Sequence, residues 1–505
     1  TQLFNSVSYT KAQYHSSISS MIEGAVLAVV VVFFFLRDWR ATVVSALAIP
    51  LSGIPTFWAM SLLGFTLNTL SLLALGLVAG VLVDDAIVEI ENIVRHIRMG
   101  KTAYQAAIDA ADEIGLAVVA TTFSIVAVFL PVALMPALLI RLINDPSITR
   151  FDDVRAVSRD HRTFSSEKRG IFNVDDIGVP LDIQRLQLIS MDPPRHDRLK
   201  ALVIKAFTPE RVAAHEEAIK QIINDVLDSV ADRERFDLVR DVARPVPARV
   251  IGSMLGTPAE DDERLVYWTN VFSAFEDPEI RKQWDDAGAI VTEIITYLND
   301  QMNQRRENPR DDLITAVMNA EIDGEKLNEL EMATFFALLM TAGNDSTRAT
   351  YSATMLALMQ NPDQLILLQE NPELLEPTVE EGLRYAPAFA FMARAATTDF
   401  ELHGKQIKEG DRLLLWYLAS NRDETAFENP HEFDITREGL ADKHQAFGGR
   451  GKHFCLGANL ARLELKLWIQ ETVRRFPDLT LDGDPTRVRA LFLNQYKSIP
   501  VRRSA

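Results

Sequence analysis

The chain has 505 residues, a formal net charge of -18 and one cysteine. That length exceeds one hydrophobic core, so two or more domains are expected. The acidic balance excludes a basic nucleic-acid footprint, and a lone thiol excludes an internal disulfide, a Cys-x-x-Cys zinc site and an iron–sulfur site. Residues 1–136 carry 6 Lys+Arg and 9 Asp+Glu, leaving 46 and 61 for 137–505. The first part therefore reads as a membrane segment and the second as a soluble globule. No cleavable signal pattern is present, and a start at Thr1 suggests a fragment at the N-terminus.

Four apolar runs fill the first part, at 21–36, 41–62, 66–90 and 114–135. Most reach the roughly 20 residues a spanning helix needs, so a four-helix transmembrane segment over 1–136 is expected, with the lipid bilayer as its partner. The links at 37–40 and 95–113 hold Arg37, Arg40, Arg95, Arg98 and Lys101. The positive-inside rule makes them cytoplasmic and brings the chain out on the far side near Pro136. Asp84 and Asp85 lie within the third run, where a carboxylate pairs with another charge or carries protons. A pair near a helix end, reaching the interface, is the alternative.

From Asn144 onward charged and apolar residues alternate at helical spacing. Helices are expected at 209–232, 281–306, 327–361, 363–370, 375–385 and 456–475, and strand-like pieces at 399–417, with Gly404 and Gly410 as turns. The second part, 137–505, is mainly α with a minor β component.

Three stretches carry chemistry. In Phe447-Gly-Gly-Arg-Gly-Lys-His-Phe-Cys-Leu-Gly457, a glycine-rich loop places Cys455 at a helix N-terminus. That position favours thiolate over thiol, and a thiolate suits an axial haem ligand. A buried structural cysteine and a hydrolase nucleophile remain open on these residues alone. The polar middle of the 327–361 helix, Thr341-Ala-Gly-Asn-Asp-Ser-Thr-Arg348, contains Gly343, and Ser346 can bond back to the carbonyl of Ala342 and bend the helix. A local opening there could hold dioxygen, with Asp345 and Ser346 passing protons; the alternative is a solvent-facing polar patch. Glu381-Gly-Leu-Arg384 puts an acid and a base on one helix face, by default a surface ion pair.

The cysteine loop resembles the haem-binding loop of the cytochromes P-450, in the longer FGG-x-G-x-H-x-C-x-G form of a bacterial subgroup acting on sterol side chains, terpenoids and fatty chains. Ala342-Gly343 with Asp345 resembles that family's oxygen-activating motif. Ser346 stands where Thr is usual and Thr347 follows, so either hydroxyl could serve. The resemblance covers roughly 145–505. It implies the family's largely helical α+β fold, lacking its first helix and strand, with a b-type haem ligated by Cys455. His196, Lys200, Arg394 and His453 become propionate partners, while Phe447 and Gly457 belong to the haem loop. Glu381 and Arg384, with Arg437 as third member, become a structural lock. The implied reaction is hydroxylation of an apolar small molecule, with electrons from NAD(P)H through a ferredoxin reductase and a ferredoxin. Arg450, Lys452, Arg462, Lys466 and Lys205 are the expected basic docking face.

Residues 1–136, including Val-Asp-Asp-Ala-Ile-Val-Glu-Ile-Glu-Asn, resemble the resistance-nodulation-division efflux transporters, in which the two aspartates belong to the proton relay. The partner lysine's helix and most other spans are missing, so transport is not expected. Three readings follow: a soluble-type monooxygenase carrying an unrelated membrane fragment, an exporter fragment with an incidental C-terminal part, or a membrane-tethered monooxygenase. Four crossings would place the haem part outside, away from NAD(P)H and reduced ferredoxin, which weighs against the third.

Overall fold

The structure, a computed structural model, describes residues 88–115, 146–173, 180–273, 277, 279, 287–321 and 324–503, with isolated positions 33, 34, 39, 43 and 120. The chain divides into two compact units, Thr1–Pro136 and Ala137–Ala505.

In the first unit the continuous described part is a helical hairpin, 88–98 and 103–115. His96 Nε2 meets Glu113 at 2.8 Å, Arg95 pairs with the same carboxylate, and Lys101 reaches Asp109 at 2.7 Å. The expected four-helix transmembrane segment needs correction. Among the described residues no helix is long and apolar enough to cross a membrane. The described parts of these two helices, 88–98 and 103–115, carry charge along their length. The four apolar runs, with Asp84 and Asp85, lie mostly outside the described residues. Membrane localisation, and the placement outside derived from counting spans, lose their basis with the segment.

The second unit is mainly helical. Its principal helices are α1 (Phe151–Arg159), α2 (Arg195–Val203), α3 (Glu216–Asp228), α4 (Pro245–Leu255), α5 (Asp262–Ser273), α6 (Ala287–Glu307), α7 (Glu329–Gln360), α8 (Leu375–Tyr385) and α9 (Ala458–Arg475). The longest, α7, starts at a capping box. Asn328 Oδ1 accepts from Glu331 N, and the Glu331 carboxylate accepts from Asn328 N. Such reciprocal bonds satisfy two orphan amides of the first turn. Its 32 residues span about 48 Å at ~1.5 Å per residue. From Asp345 to Leu358 nearly every side chain is buried, so this end is enclosed on all sides. Tyr351 stacks on Trp468 of α9 with ring centroids 3.6 Å apart, and its hydroxyl meets Thr472 Oγ1 at 2.8 Å.

The expected helix 209–232 is broken into Pro209–Ala213 and α3, and α4 and α5 were not anticipated. The strand-like stretch gives a hairpin, Phe400–Leu402 with Lys405–Ile407, turning at Gly404, followed by a strand beyond Gly410; both glycines have positive φ. That following strand, β4 (Arg412–Trp416), joins β1 (Ser147–Ile148), β2 (Phe164–Ser165) and β3 (Phe391–Ala396) in a sheet of order β1-β4-β3-β2. β1 runs parallel to β4, β3 antiparallel to it with Arg394 opposite Leu413, and β2 antiparallel to β3. All six residues of β3 are buried, which erases the polar/apolar alternation that would have marked it in the sequence.

Candidate functional site

The cysteine loop folds back on itself through left-handed residues. Gly448, Gly449 and Arg450 have φ of 96, 65 and 60°, after which Cys455 N donates to Phe447 O at 3.0 Å. A Cβ on Gly451 would lie 1.8 Å from the Ser158 carbonyl oxygen, and one on Gly449 2.5 Å from Ser158 Oγ. These glycines therefore serve a close approach to α1. Gly457 caps α9, and a Cβ there would meet nothing within 4 Å.

The loop forms one wall of a cavity of about 270 Å³. The Cys455 side chain opens on this space, although protein surrounds it on the other sides. Burial pushes the thiol up, opposed by a hydrogen bond from Gly457 N–H and by the charges of Lys200 and Arg462. The Gly457 N–H at the helix terminus favours the thiolate, as expected from its position, against the cost of burial. Desolvation opposes the anion, and a bound metal ion is what would expel the proton.

One side of the cavity gathers cations. His196 and Lys200 project from α2, Arg394 from β3 and His453 from the loop. The His196 and His453 rings lie 4.4 Å apart, and His453 Nε2 meets Ser166 Oγ at 3.1 Å. Lys200 Nζ donates to the carbonyls of Lys452 and Phe454 at 2.6 and 3.2 Å, tying α2 to the loop. Arg394 Nη1 donates to Ala393 O at 2.7 Å, and no described carboxylate forms a salt bridge with this buried guanidinium. Burial lowers the pKa of all four, and that of His453 lies well below the ordinary imidazole value, helped by the charges of Arg394, His196 and Lys200. A buried cluster of basic side chains, whose charged forms burial disfavours, beside an accessible thiol fits a metal-bearing macrocycle with acidic arms. The thiol could take the metal, and the arms would supply the missing counter-charge.

Across the cavity lies the polar turn of α7. Ala342, Gly343, Asp345, Ser346 and Thr347 all line the space. The expected local opening is absent, since α7 is helical from Glu329 to Gln360. Ser346 Oγ does donate to Ala342 O at 2.5 Å, as do Thr347 Oγ1 to Gly343 O and Thr350 Oγ1 to Ser346 O at 2.9 and 3.0 Å. Each hydroxyl shares a carbonyl with the helix ladder without displacing it. A Cβ on Gly343 would meet Ile251 Cδ1 at 2.6 Å, so this glycine admits α4 against α7.

Asp345 is buried and paired with Arg348, whose Nη2 also bonds Gln495 Oε1 at 3.0 Å and Asn270 Oδ1 at 3.3 Å. The sequence reading missed this clamp. Arg348 was visible as a base three residues past the acid, whereas nothing local marks Gln495. The reading also missed Glu464, which lines the cavity from α9 with 1% of its surface exposed. An acid spaced four residues from buried Leu460 and three from buried Leu467 was the available signal.

Glu381 and Arg384 are no surface pair. Both are fully buried in a two-point contact at 2.7 Å, and the guanidinium also donates to the carbonyls of Asn421, Pro430 and Glu432. Arg437 approaches Glu381 at 3.5 Å. The expected docking face is, in contrast, mostly neutralised. Arg450 pairs with Asp442, Lys452 with Asp197, Arg462 with Glu380 and Lys466 with Glu376, while Lys205 is exposed. Glu380 also accepts from buried His444, and these two partners together hold its carboxyl down at about 2 despite burial.

A mainly helical unit with a few small sheets, and a lone thiol facing a polar helical turn across a cavity, define a haem-thiolate type of protein. Residues 148–493 match the cytochrome P-450 family model, and the chain belongs to that family. The methyl-branched lipid omega-hydroxylase of Mycobacterium tuberculosis is 37% identical over 360 residues, covering 70% of this chain and 83% of that protein. The steroid C26-monooxygenase of Rhodococcus jostii is 37% identical over 357 residues, covering 70% and 74%. Among solved structures, a Mycobacterium marinum cytochrome P-450 in complex with pseudoionone superposes with a TM-score of 0.65 at 34% identity, covering 70% of this chain and 86% of that one. The chain is a cytochrome P-450 monooxygenase, and its family implies haem, electron donation by redox partners and a hydrophobic substrate. Residues 1–150 match the AcrB/AcrD/AcrF family model, and the efflux alternative has no better support than this.

Proposed function

We propose that the chain hydroxylates the end of an apolar chain, that of a methyl-branched lipid, a terpenoid or a steroid side chain, on a b-type haem ligated by Cys455. The carrying observation is a single cavity lined both by Cys455 and by the Asp345–Thr347 turn, with walls otherwise largely apolar, among them Phe172, Leu188, Leu339, Phe389, Met392 and Phe492. The rings of Phe172 and Phe389 lie 4.8 and 5.1 Å from that of Phe492, a cluster that favours a slender apolar group. Both named lipid-oxidising relatives support this substrate class. In this reading residues 137–505 carry the enzyme, and 1–136 are an efflux-transporter-like segment with no part in the reaction.

The overall change is RH + O₂ + 2 H⁺ + 2 e⁻ → ROH + H₂O. Bound haem supplies the oxygen binding and the oxidising power. Arg394, His196, His453 and Lys200 would hold its acidic arms, and the loop of Phe447 and Gly457 would receive it. Asp345, oriented by Arg348, brings protons to the cavity through the hydroxyl of Ser346 or Thr347. The apolar wall excludes water from the reacting C–H bond. Electrons come from NAD(P)H through a ferredoxin reductase and a ferredoxin. An acidic ferredoxin docks by competing with Asp442, Asp197 and Glu376 for Arg450, Lys452 and Lys466, so its binding weakens with salt.

The holoprotein should give the thiolate-type carbon monoxide difference band, absent in Cys455→Ala, and methyl-branched lipids or steroids should shift its Soret band and yield terminal alcohols by mass spectrometry. A band that survives Cys455→Ala ends the ligand assignment. A good band with no lipid- or steroid-induced shift ends the substrate assignment alone.

A further inference from the structure

At the base of the cysteine loop, α8, α9 and the residues just before Phe447 meet around one acid with no part in the reaction above. Glu380 of α8 accepts from Arg462 Nε of α9 at 2.6 Å and from Arg462 Nη2 at 3.1 Å. Its Oε2 also meets His444 Nε2 at 2.8 Å. His444 Nδ1 accepts from Ala446 N–H at 3.2 Å, so the ring proton sits on Nε2 and is donated to the carboxylate. Burial lowers the pKa of this imidazole, which is neutral at pH 7. The carboxylate between the two donors stays charged, its pKa held at about 2.

Arg462 is placed to act on the thiol. Its guanidinium lies over the Phe447 ring, 4.7 Å from the centroid, and the Phe447 carbonyl accepts from Cys455 N–H at 3.0 Å. The charge of Arg462 favours the Cys455 thiolate. Three-quarters of the Arg462 side chain is covered, and a covered charge is screened less than one in water. The neighbouring cations differ from it in their partners. Asp442, Asp197 and Glu376, which hold Arg450, Lys452 and Lys466, have side chains 89, 43 and 72% exposed. The Glu380 side chain is 12% exposed. An acidic protein can displace the first three acids from outside, but it cannot take the place of Glu380.

We propose that the Glu380–Arg462 pair sets the reduction potential of the haem held by Cys455, and that Arg462 acts on the ligand and takes no part in docking. Positive charge beside a thiolate ligand weakens its donation to the metal and favours the reduced state, and an adjacent carboxylate offsets that charge. Glu380, fixed by His444, therefore decides how much of the Arg462 charge the ligand feels. The step concerned is Fe(III) + e⁻ → Fe(II), with the electron supplied by the redox partner and no proton transferred. The proposal rests on the haem-thiolate reading but not on the substrate assigned above.

The test removes one charge at a time from the haem-loaded protein. Glu380→Gln should raise the reduction potential and Arg462→Gln should lower it, each by a roughly three- to tenfold change in the one-electron equilibrium, ~28–59 mV, read by spectroelectrochemical titration. The double variant should return close to the wild-type potential, and Arg462→Lys, which keeps the charge, should stay near it. All four should keep the thiolate-type carbon monoxide band, and Arg462→Gln should keep the wild-type salt dependence of ferredoxin-driven reduction. Shifts of the same sign in the two single variants, or none, overturn the proposal, since lost packing moves both alike and only charge moves them apart. A shift in Arg462→Lys as large as that in Arg462→Gln overturns it as well. So does a weakened salt dependence in Arg462→Gln, which would return Arg462 to the docking face, and so does loss of the band in Glu380→Gln, which would make the pair scaffold. Absence of the band from the wild-type protein instead ends the haem-thiolate reading itself.

Discussion

Two fully buried glutamates of this unit have opposite surroundings. Glu381, on α8 behind the cavity, faces Arg384 at two points with Arg437 beside it. Glu464, on α9 at the cavity's edge, has a buried oxygen facing nothing. Removing a carboxylate from water costs several kcal/mol, and only paired charge or a retained proton offsets it. Glu381 takes the first solution and can only hold the fold together. Glu464 takes the second, which leaves it free to exchange a proton. Pairing therefore fixes Glu381 in its charged form as scaffold, whereas burial without pairing leaves Glu464 protonated.

Breaking the satisfied region should have the largest effect. Arg384→Leu strands the Glu381 carboxylate and should cost about 3–5 kcal/mol in urea unfolding, against which Glu464→Leu should be neutral or stabilising at pH 8. If both destabilise equally, the contrast fails. Next, Asp345→Asn should reduce hydroxylation by roughly 10²-fold or more with little change in the carbon monoxide band. Arg348→Leu should retain the band too but lower hydroxylation, since the acid loses the partner that orients it.

The pH dependence of stability sharpens the comparison more finely. Glu464 is raised in the fold from an ordinary 4.5 to about 8. Its contribution is therefore complete below pH 4.5 and is lost as pH rises towards 8, at up to ~1.4 kcal/mol per unit. Urea melts of wild type minus Glu464→Gln should show that slope between those limits, and a flat difference would place the carboxyl's pKa at its ordinary value. The smallest effect should come from the exposed pair Lys466–Glu376. Lys466→Ala should change stability by no more than ~1 kcal/mol while slowing ferredoxin-driven reduction at low salt, measured by stopped flow. An unchanged rate there would move the docking face elsewhere.

Much of the site was legible because its signals are local. The order of residues from Phe447 to Gly457 carries the cysteine loop, and Ala342 to Thr347 sits on one helical turn whose periodicity is plain. Glu381 and Arg384 were legible as a pair but not as a buried one, because i,i+3 spacing is the same on a surface as in a core. β3 was missed because complete burial removes alternation, and the neutralised docking face because Asp442, Asp197, Glu380 and Glu376 approach their cations only in the folded chain.

By itself the sequence determined the family, the single thiol, the helical class and the polar turn of α7, since each is written in contiguous residues or in composition. Only tertiary structure decided which charges are paired, that Gly449 and Gly451 admit Ser158, that Arg348 reaches Gln495, and that Glu464 is left without a partner. These outcomes depend on contacts between residues up to about 300 positions apart, such as Gly451 and Ser158. In a packed interior such contacts, more than the identity of a side chain, fix its protonation and its role.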